Sequence, residues 1–474
     1  MGRRRFQPYE VTLDIIDAAT DGRAVAKEEE KVIFVEDAVP GDRAVVKVFR
    51  KQKGIYIGKV SELITPSPDR VEPDCKHFDV CGGCKWQNMS YEAQANAKHQ
   101  QVVDAIQRIG KVPIGEILPV LANETPYHYR NKLEFSFSDK AWLKKEDMER
   151  EDIDQRSLGY HVPRIFDKVI QIKECLLQKP IVNDIRNELL SYCREHDYAF
   201  YNMKSHEGFL RNLAFRTTEA NGELMVILIV ADDRLDLVEP VFTHLAERFP
   251  QVTNWVWVVN PKKNNSYTDL PYRIWQGSPF ITEELGGYQF RISPVSFFQT
   301  NPRQAERLYG VIKDFMAQSL PEGQSQHPVV YDLYSGTGSI GIFVSELAQK
   351  VVGIEYVEDA IKDARVNVEL NDISNFSFYA GDMKKILTDE LVDREGKPDL
   401  IIADPPRAGM DPKVVTQILK VAPEYIIYVS CKPATQARDL QLMAEQYELL
   451  KIQPVDMFPQ TAHVENVALL KRKA

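Results

Sequence analysis

No run of about 18 apolar residues occurs in the 474-residue chain, so a membrane span is not expected. The basic start, Met1-Gly2-Arg3-Arg4-Arg5, is not followed by the apolar stretch of a secretory signal. Gly2 invites a myristoylation reading, but the arginines behind it give that little support. A cytoplasmic protein is expected. No internal repeat is found. Cations are in deficit: 59 Lys and Arg stand against 69 Asp and Glu, a net charge of −10. Bulk charge therefore argues mildly against a nucleic-acid partner. Cysteine is scarce, with six in the chain. Three of them, Cys75, Cys81 and Cys84, fall within ten residues. In a reducing compartment that clustering suggests a metal site before it suggests disulfides.

What is present is an ordinary soluble composition, 44% hydrophobic and 27% charged. The length suits about two to four domains. Charge distribution matters more than its sum. Residues 41–60, GDRAVVKVFRKQKGIYIGKV, hold six Lys or Arg against one Asp, which is either a local basic patch or a solvated strand face.

Residues 9–64 alternate like strands around a Pro-Gly-Asp turn and suit a small closed barrel. TPSPDRVEP, 65–73, reads as a linker. SYEAQANAKHQQVVDAIQRIG reads as a helix capped by Ser90 and ended by Gly110. Residues 120–290 mix strands and helices, with an exposed charge run at 144–156. From about 293 the pattern changes. A helix starts near Asn301-Pro302, and strands then alternate with helices, which predicts a parallel doubly wound sheet. LLKIQPVDMF and ENVALLKR are the last strand candidates.

VVYDLYSGTGSIG is a buried strand, a glycine turn and a helix start. Gly336, Gly338 and Gly341 let the backbone turn tightly and approach a ligand. Glu355, nineteen residues beyond Gly336, stands at the tip of the next strand, where a carboxylate can accept both hydroxyls of a ribose. The constellation predicts an adenosine-bearing ligand, either a dinucleotide or S-adenosylmethionine. IIADPPRAGM puts Asp404-Pro405-Pro406 at a strand end. Prolines bar that backbone from regular pairing, which leaves carbonyls and a carboxylate for a flat ring. A base-methylating enzyme needs such a loop; a dehydrogenase does not. Cys431 stands at the end of the strand YIIYVSC. On spacing alone it is equally a nucleophile or a buried structural thiol.

Several stretches, in order, carry a resemblance: CKHFDVCGGCKWQ, YHYRNKLEF, SFFQTN, DLYSGTGSIG, GIEYVEDAI, DPPRAGM, VSCKPATQARDL and PVDMFPQTAHVENVALL. Over nearly its whole length the sequence resembles the RNA 5-methyluridine methyltransferases of the RumA/TrmA type. The resemblance implies a multidomain protein. An N-terminal TRAM barrel, an oligonucleotide-binding-like module, spans 1–70. An α+β central domain spans 71–290. A Rossmann-like class I methyltransferase domain of α/β type spans 291–474. It implies S-adenosylmethionine as methyl donor and Cys431 as nucleophile. It also implies Glu465 as general base, with His463 as the competing base. Gln299, Tyr334, Gly336, Gly338, Glu355, Asp382 and Asp404 become cofactor contacts. The thiolate must be populated, so a depressed pKa is expected, to which Lys432 or Arg407 could contribute; the family often has Asn after the cysteine, where this chain has Lys432, so the tuning of the thiol is open.

The chemistry accounts for the thiol independently. C5 of uracil is a weak nucleophile. A thiolate added to C6 makes an enolate that can take the methyl group, after which a base removes the C5 proton and the thiolate leaves.

Cys75, Cys81 and Cys84 offer three soft ligands on a loop that Gly82-Gly83 lets fold tightly, suited to zinc or an iron–sulfur cluster. The resemblance implies Cys175 as the distal fourth ligand and a 4Fe-4S cluster, here expected to staple the barrel linker to the central domain. Cys193 is expected in the core. The basic stretch 43–59, with Phe49, Tyr56 and Ile57, then reads as phosphate contacts interleaved with stacking surface. A TRAM barrel plus a cluster resembles the ribosomal branch. The expected partner is therefore 23S rRNA or a large-subunit precursor, bound by a monomer. The alternatives are a tRNA uracil-C5-methyltransferase or a noncatalytic RNA-binding protein. A nicotinamide oxidoreductase fits the glycine turn but not DPPR or SCKP.

Overall fold

The computed structural model describes residues 6–319 and 327–474, so the reading of Gly2 lies outside the described residues. Among the described residues no helix is long and apolar enough to cross a membrane.

Five strands, β1 (Tyr9–Ala18), β2 (Ala24–Glu28), β3 (Lys31–Glu36), β4 (Arg43–Gln52) and β5 (Ile55–Thr65), close into a barrel of order β1-β2-β3-β5-β4. Alternation sends Leu13, Ile15, Ile33, Val35, Val46 and Val48 inward and leaves Lys47, Arg50 and Lys51 outside. The same period corrects one expectation. Ile57 is 7% exposed and belongs to the barrel interior, so it offers no stacking surface. Tyr56 does face outward, with the Lys51 ammonium 4.7 Å from its ring centroid. The proline-rich linker is pinned rather than loose. Buried Asp42 accepts the Val39 and Ser67 backbone N–H groups at 2.7 and 2.9 Å and the Arg70 Nε–H at 3.0 Å.

The helix Tyr91–Asp104 starts as expected, with Ser90 Oγ accepting the Ala93 N–H at 3.3 Å. Its end differs. The chain runs through a π-helical turn, Ala105–Gly110, and the left-handed residue is Lys111, at φ 52°. Gly110 serves close packing: a Cβ there would stand 2.9 Å from the Ala437 carbonyl oxygen.

Beyond it come β6 (Ile114–Ile117), β7 (Lys132–Ser138), β8 (Ser157–His161), β9 (Val169–Gln171), β10 (Leu210–Thr217), β11 (Leu224–Val230), β12 (Asn254–Val259) and β13 (Tyr272–Gln276). Seven of these form a sheet of order β13-β12-β11-β10-β7-β8-β9. Only β11 and β12 pair in parallel, across the helix Leu235–Arg248. A core of β10, β11 and two helices holds Cys193, as expected. The charge run 144–156 is loop with one short turn, laced by ion pairs such as Arg156–Asp154.

A hairpin, β14 (Ile281–Leu285) and β15 (Tyr288–Ile292), leads to the helix Pro302–Ser319. Then follow β16 (Val329–Leu333), β17 (Lys350–Glu355), β18 (Phe376–Ala380), β19 (Leu400–Ala403), β20 (Tyr425–Ser430), β21 (Tyr447–Val455) and β22 (Glu465–Arg472). Their sheet runs β18-β17-β16-β19-β20-β22-β21-β6. The first five strands are parallel and β22 runs antiparallel to its neighbours. The strand order reverses between β16 and β19, and ligands of open α/β sheets bind in the crevice at such a point. β6 is a difference from the expected layout: a strand from the 71–290 segment extends this sheet, parallel to β21.

A buried ion pair locks that segment to the catalytic sheet. Lys98 Nζ lies 2.6 Å from Asp456 Oδ1, both side chains fully buried. Asp456 also accepts the Tyr91 hydroxyl at 2.9 Å and the Phe458 N–H at 3.0 Å. Gln94 donates to Gln460 Oε1 at 2.9 Å. The helix Tyr91–Asp104 thereby fixes the loop that leads from β21 into β22. Losing one partner of such a pair strands a buried charge, at a cost of about 3–5 kcal/mol.

Candidate active site

The parallel strands all end at one edge of the sheet, and β22, being antiparallel, begins there. This explains how residues spread over about 130 positions, from Tyr334 to Glu465, meet. Leu333 pairs with Ala403, so Tyr334 follows beside Asp404. Ser430 pairs with Asn466, so Cys431 follows beside Glu465.

The glycine turn has the geometry that its composition predicted. Gly336 and Gly338 lie at φ 55° and 78°, where other residues are strained. Tyr334, at φ 63°, takes that strain without being glycine. Glu355 holds the turn from the next strand, with Oε2 accepting the Gly336 N–H at 3.0 Å and Oε1 the Val357 N–H at 2.8 Å. Its carboxylate therefore stands at the crevice with lone pairs to spare. Gly341 allows close packing: a Cβ there would be 2.4 Å from the Phe376 ring. Asp382, at the β18 edge, turns its carboxylate to cap Lys384 N–H at 3.1 Å.

Gln299 comes from outside the sheet, on the loop between β15 and the helix Pro302–Ser319. Arg216 of β10 and Asn131, just before β7, hold this loop. Asn131 donates its Nδ2–H to the Gln299 carbonyl at 3.0 Å and its N–H to Thr300 O at 2.8 Å. Buried Arg216 donates to the Pro294 carbonyl at 3.2 Å and also to Ser296 O. Neither residue carried a local signal, because each lies about 80 or more positions from the loop it holds. The Gln299 side chain meets the Tyr309 hydroxyl, which lies 2.9 Å from Ser339 Oγ.

Buried acids gather around this crevice. Burial, with Asp404 and Glu355 nearby, pushes Asp332 up to about 8. Burial pushes Asp404 up to about 7. Burial and the Asp404 carboxylate push Glu465 up to about 8 against the pull of Arg407. Such a site favours a cationic guest, which would let the acids ionise. Asp332 Oδ1 and Ser335 Oγ are buried there without hydrogen-bond partners, which suits a polar ligand. Asp332, missing from the sequence-derived set, was legible as the acid that opens DLYSG at the strand end.

Cys431 is half-buried at the end of β20. Its expected depressed pKa is not found. Burial, then Glu465 and Asp404, push the thiol up to about 11, and the Arg407 guanidinium alone opposes them, with a hydrogen bond. Arg407 thus takes the part weighed for it or Lys432. His463 is exposed, and only partial desolvation reaches its ring. Burial of its ring and the nearby Arg407 and Lys98 charges lower its pKa. Glu465, 7% exposed, is the acid that faces the thiol.

A cavity of about 670 Å³ abuts the Gln299 loop. Cys75, Cys81, Cys84 and Cys175 line one part of it, and Arg130, Lys132, Glu134 and Phe297 line another. Burial raises Cys81 to about 11 and Cys84 to about 12, with neighbouring thiols adding to the effect. Among the described residues no three His, Cys, Asp or Glu side chains converge closely enough to hold a metal ion. The four thiols line a common space without meeting at a point. As a donor set they suit a soft metal or a body with several irons.

Residues 286–473 match the tRNA (uracil-5-)-methyltransferase family model. An RNA methyltransferase of Porphyromonas gingivalis, named as uncharacterized, is 46% identical over 97% of this chain and 99% of its own length. Another so named, from Chlorobaculum tepidum, is 38% identical over 98% of this chain and 96% of its own. Among solved structures, the Pyrococcus abyssi tRNA (uracil-54, C5)-methyltransferase in complex with S-adenosyl-L-homocysteine is similar, with a TM-score of 0.75 at 28% identity. It covers 97% of this chain and 100% of its own.

Proposed function

The chain belongs to the S-adenosylmethionine-dependent RNA uracil-5-methyltransferase family, and from that premise we propose that it methylates C5 of a uridine in 23S ribosomal RNA through a covalent bond between Cys431 and C6. The observation that carries the covalent reading is the meeting of Cys431, Glu465 and Arg407 beside Asp404 at one sheet edge.

When bound, S-adenosylmethionine supplies an electrophilic methyl group on a sulfonium. Glu355 would take the ribose hydroxyls. Gly336 and Gly338 would let the backbone approach the amino-acid part, with Gln299 contacting it and Tyr334 walling the ligand. Asp404 would face the positive sulfur, and Asp382 would meet the adenine from the β18 edge. Cys431, as thiolate, adds to C6 of the uracil, and Arg407 steadies the developing charge. C5 becomes the nucleophile and would accept the methyl group as the methyl–sulfur bond breaks, leaving S-adenosylhomocysteine. Glu465 then removes the C5 proton, and the C6–sulfur bond breaks to return the thiolate.

The barrel serves as the TRAM module, gripping RNA phosphates with Lys47, Arg50 and Lys51 beside Tyr56. The segments 1–70, 71–290 and 291–474 act as RNA-binding, cluster-bearing and catalytic units of a cytoplasmic monomer. A flipped-out uridine is the form that reaches the pocket. Cys75, Cys81, Cys84 and Cys175 would hold a 4Fe-4S cluster with a structural role. Anaerobically purified protein is then expected to carry about four irons per chain and little zinc. Cys175→Ser should lose most of the iron and the brown colour. One zinc per chain, without iron, would sink the cluster.

A tRNA substrate is the second reading. The Pyrococcus tRNA enzyme matches nearly this whole chain, barrel included, so the barrel does not by itself select ribosomal RNA. Transfer of labelled methyl to unmodified 23S rRNA and tRNA, followed by nucleoside analysis, decides between them. Label in 5-methyluridine of 23S rRNA is expected. Label in tRNA alone would move the assignment to the second reading, and label in another nucleoside would overturn both.

A further inference from the structure

The β8–β9 hairpin ends in a tip, Val162–Lys168, that the chemistry above does not use. The tip is rigid. Val162 N–H donates to the Lys168 carbonyl at 3.3 Å, and Ile165 N–H closes a turn on Val162 O at 3.0 Å. It is clamped on two sides. Pro163 lies against the cysteine loop, so close that a Cβ on Gly82 would stand 2.5 Å from its Cγ. Arg164 pairs with Glu36 at the end of β3 in the barrel. The tip thus bridges the barrel and the cysteine loop, and Pro163 and His161 line the cavity that abuts the Gln299 loop.

On this clamped junction Phe166 is 64% exposed. Its surroundings are cationic. Lys204 Nζ stands 5.8 Å from the ring centroid and is held there by Asp167 at 2.6 Å. Arg164 and Lys168 flank the ring in sequence, and Lys140 acts on the same Asp167. An apolar protein partner covering Phe166 would have to bury Lys168, which has no ion pair among the described residues, without compensation. A nucleotide would not: its base has a flat face for the ring, and its phosphates meet the ammonium groups.

We propose that this tip is a stacking station for one unpaired nucleotide of the substrate RNA, with Phe166 taking the base and Lys204 and Lys168 the adjoining phosphates. The inference rests on the RNA-methylating reading above. It places a contact between the barrel edge at Glu36 and the cavity lined by Pro163 and His161. Because Phe166 is already held outward by a clamped backbone, binding needs little reordering.

The test uses the full-length protein and the 23S rRNA fragment that it methylates. Phe166→Ala is expected to raise the Kd for that RNA by about 5- to 100-fold, the usual worth of one base–aromatic stack. The kcat at saturating RNA should be unchanged, because the residue lies outside the catalytic site. Phe166→Trp should restore binding. Lys204→Ala should flatten the dependence of log Kd on log salt by about 0.7–0.9. A Phe166→Ala protein that binds within twofold of the parent, while the parent binds and methylates normally, would overturn the station alone. A parent that binds no RNA would bring down the station and the functional reading together.

Discussion

Cys431→Ala is expected to abolish methyl transfer, by about 10⁴-fold or more, as loss of a covalent nucleophile does elsewhere. Affinity for S-adenosylmethionine should stay within a few-fold, because Glu355, Gln299 and the glycine turn are untouched. The fold should persist as well. Cys431 is half-buried at a strand end, and the one partner of its side chain, Arg407, lies on an exposed loop. The decisive reading uses RNA carrying 5-fluorouridine. Fluorine on C5 cannot leave as a proton, so the thiolate should stay bonded to C6 after methyl transfer. The parent enzyme with S-adenosylmethionine should shift the RNA on a denaturing gel, and Cys431→Ala should not. Cys193→Ala, buried in the middle-sheet core, controls for thiol loss as such. A Cys431→Ala enzyme that keeps a tenth of parental turnover would end the covalent mechanism, and with it the roles given to Arg407 and Glu465.

The site was legible where one segment carries both signal and geometry. DLYSGTGSIG gives a strand, a turn and a helix in ten residues, and the positive φ angles at Gly336 and Gly338 follow from composition. The doubly wound sheet was equally legible from the alternation of strands and helices, while the reversal between β16 and β19 is a matter of strand order that alternation does not fix. Contacts made by distant residues were not legible. Arg216 and Asn131 hold the Gln299 loop from β10 and from just before β7, and β6 joins the catalytic sheet from more than 200 residues before its first strand. Two local readings failed for physical reasons. Ile57 sits among cations in sequence, yet the period of two turns it inward. Cys431 was expected to be acidic because a nucleophile must ionise. Burial and two carboxylates make it the reverse in the ligand-free site. The opposing cation, Arg407, lies in the DPPR stretch, where its reach toward β20 depends on tertiary packing.

That electrostatic inversion sets up the second large effect, at Glu465. Glu465→Gln is expected to slow turnover by about 10²- to 10⁴-fold, the usual worth of a general base. The loss should fall on one step. Addition and methyl transfer precede removal of the C5 proton, so ordinary uridine RNA, without fluorine, should accumulate as a methylated adduct on Cys431. Mass spectrometry of the tryptic peptide would read it. An uncharged residue beside Cys431 also removes one of the groups that raise the thiol, so alkylation of Cys431 should move to lower pH in the variant. Stability gives an independent check with a fixed sign. Glu465 is raised from 4.5 to about 8 in the folded protein. The native state therefore holds this proton more tightly than the unfolded chain. The stability it contributes is fully present below about 4.5 and is lost as the pH rises through about 8. Glutamine keeps the shape and cannot ionise, so the variant should melt higher than the parent above pH 8 and close to it below pH 5. Turnover of the parent should rise with pH, because only the carboxylate can take the proton, and the sulfonium of the bound cofactor should bring that rise below the ligand-free value of about 8. An adduct-free Glu465→Gln with parental turnover would transfer the base role to His463, and His463→Ala would then have to show the stalled adduct instead.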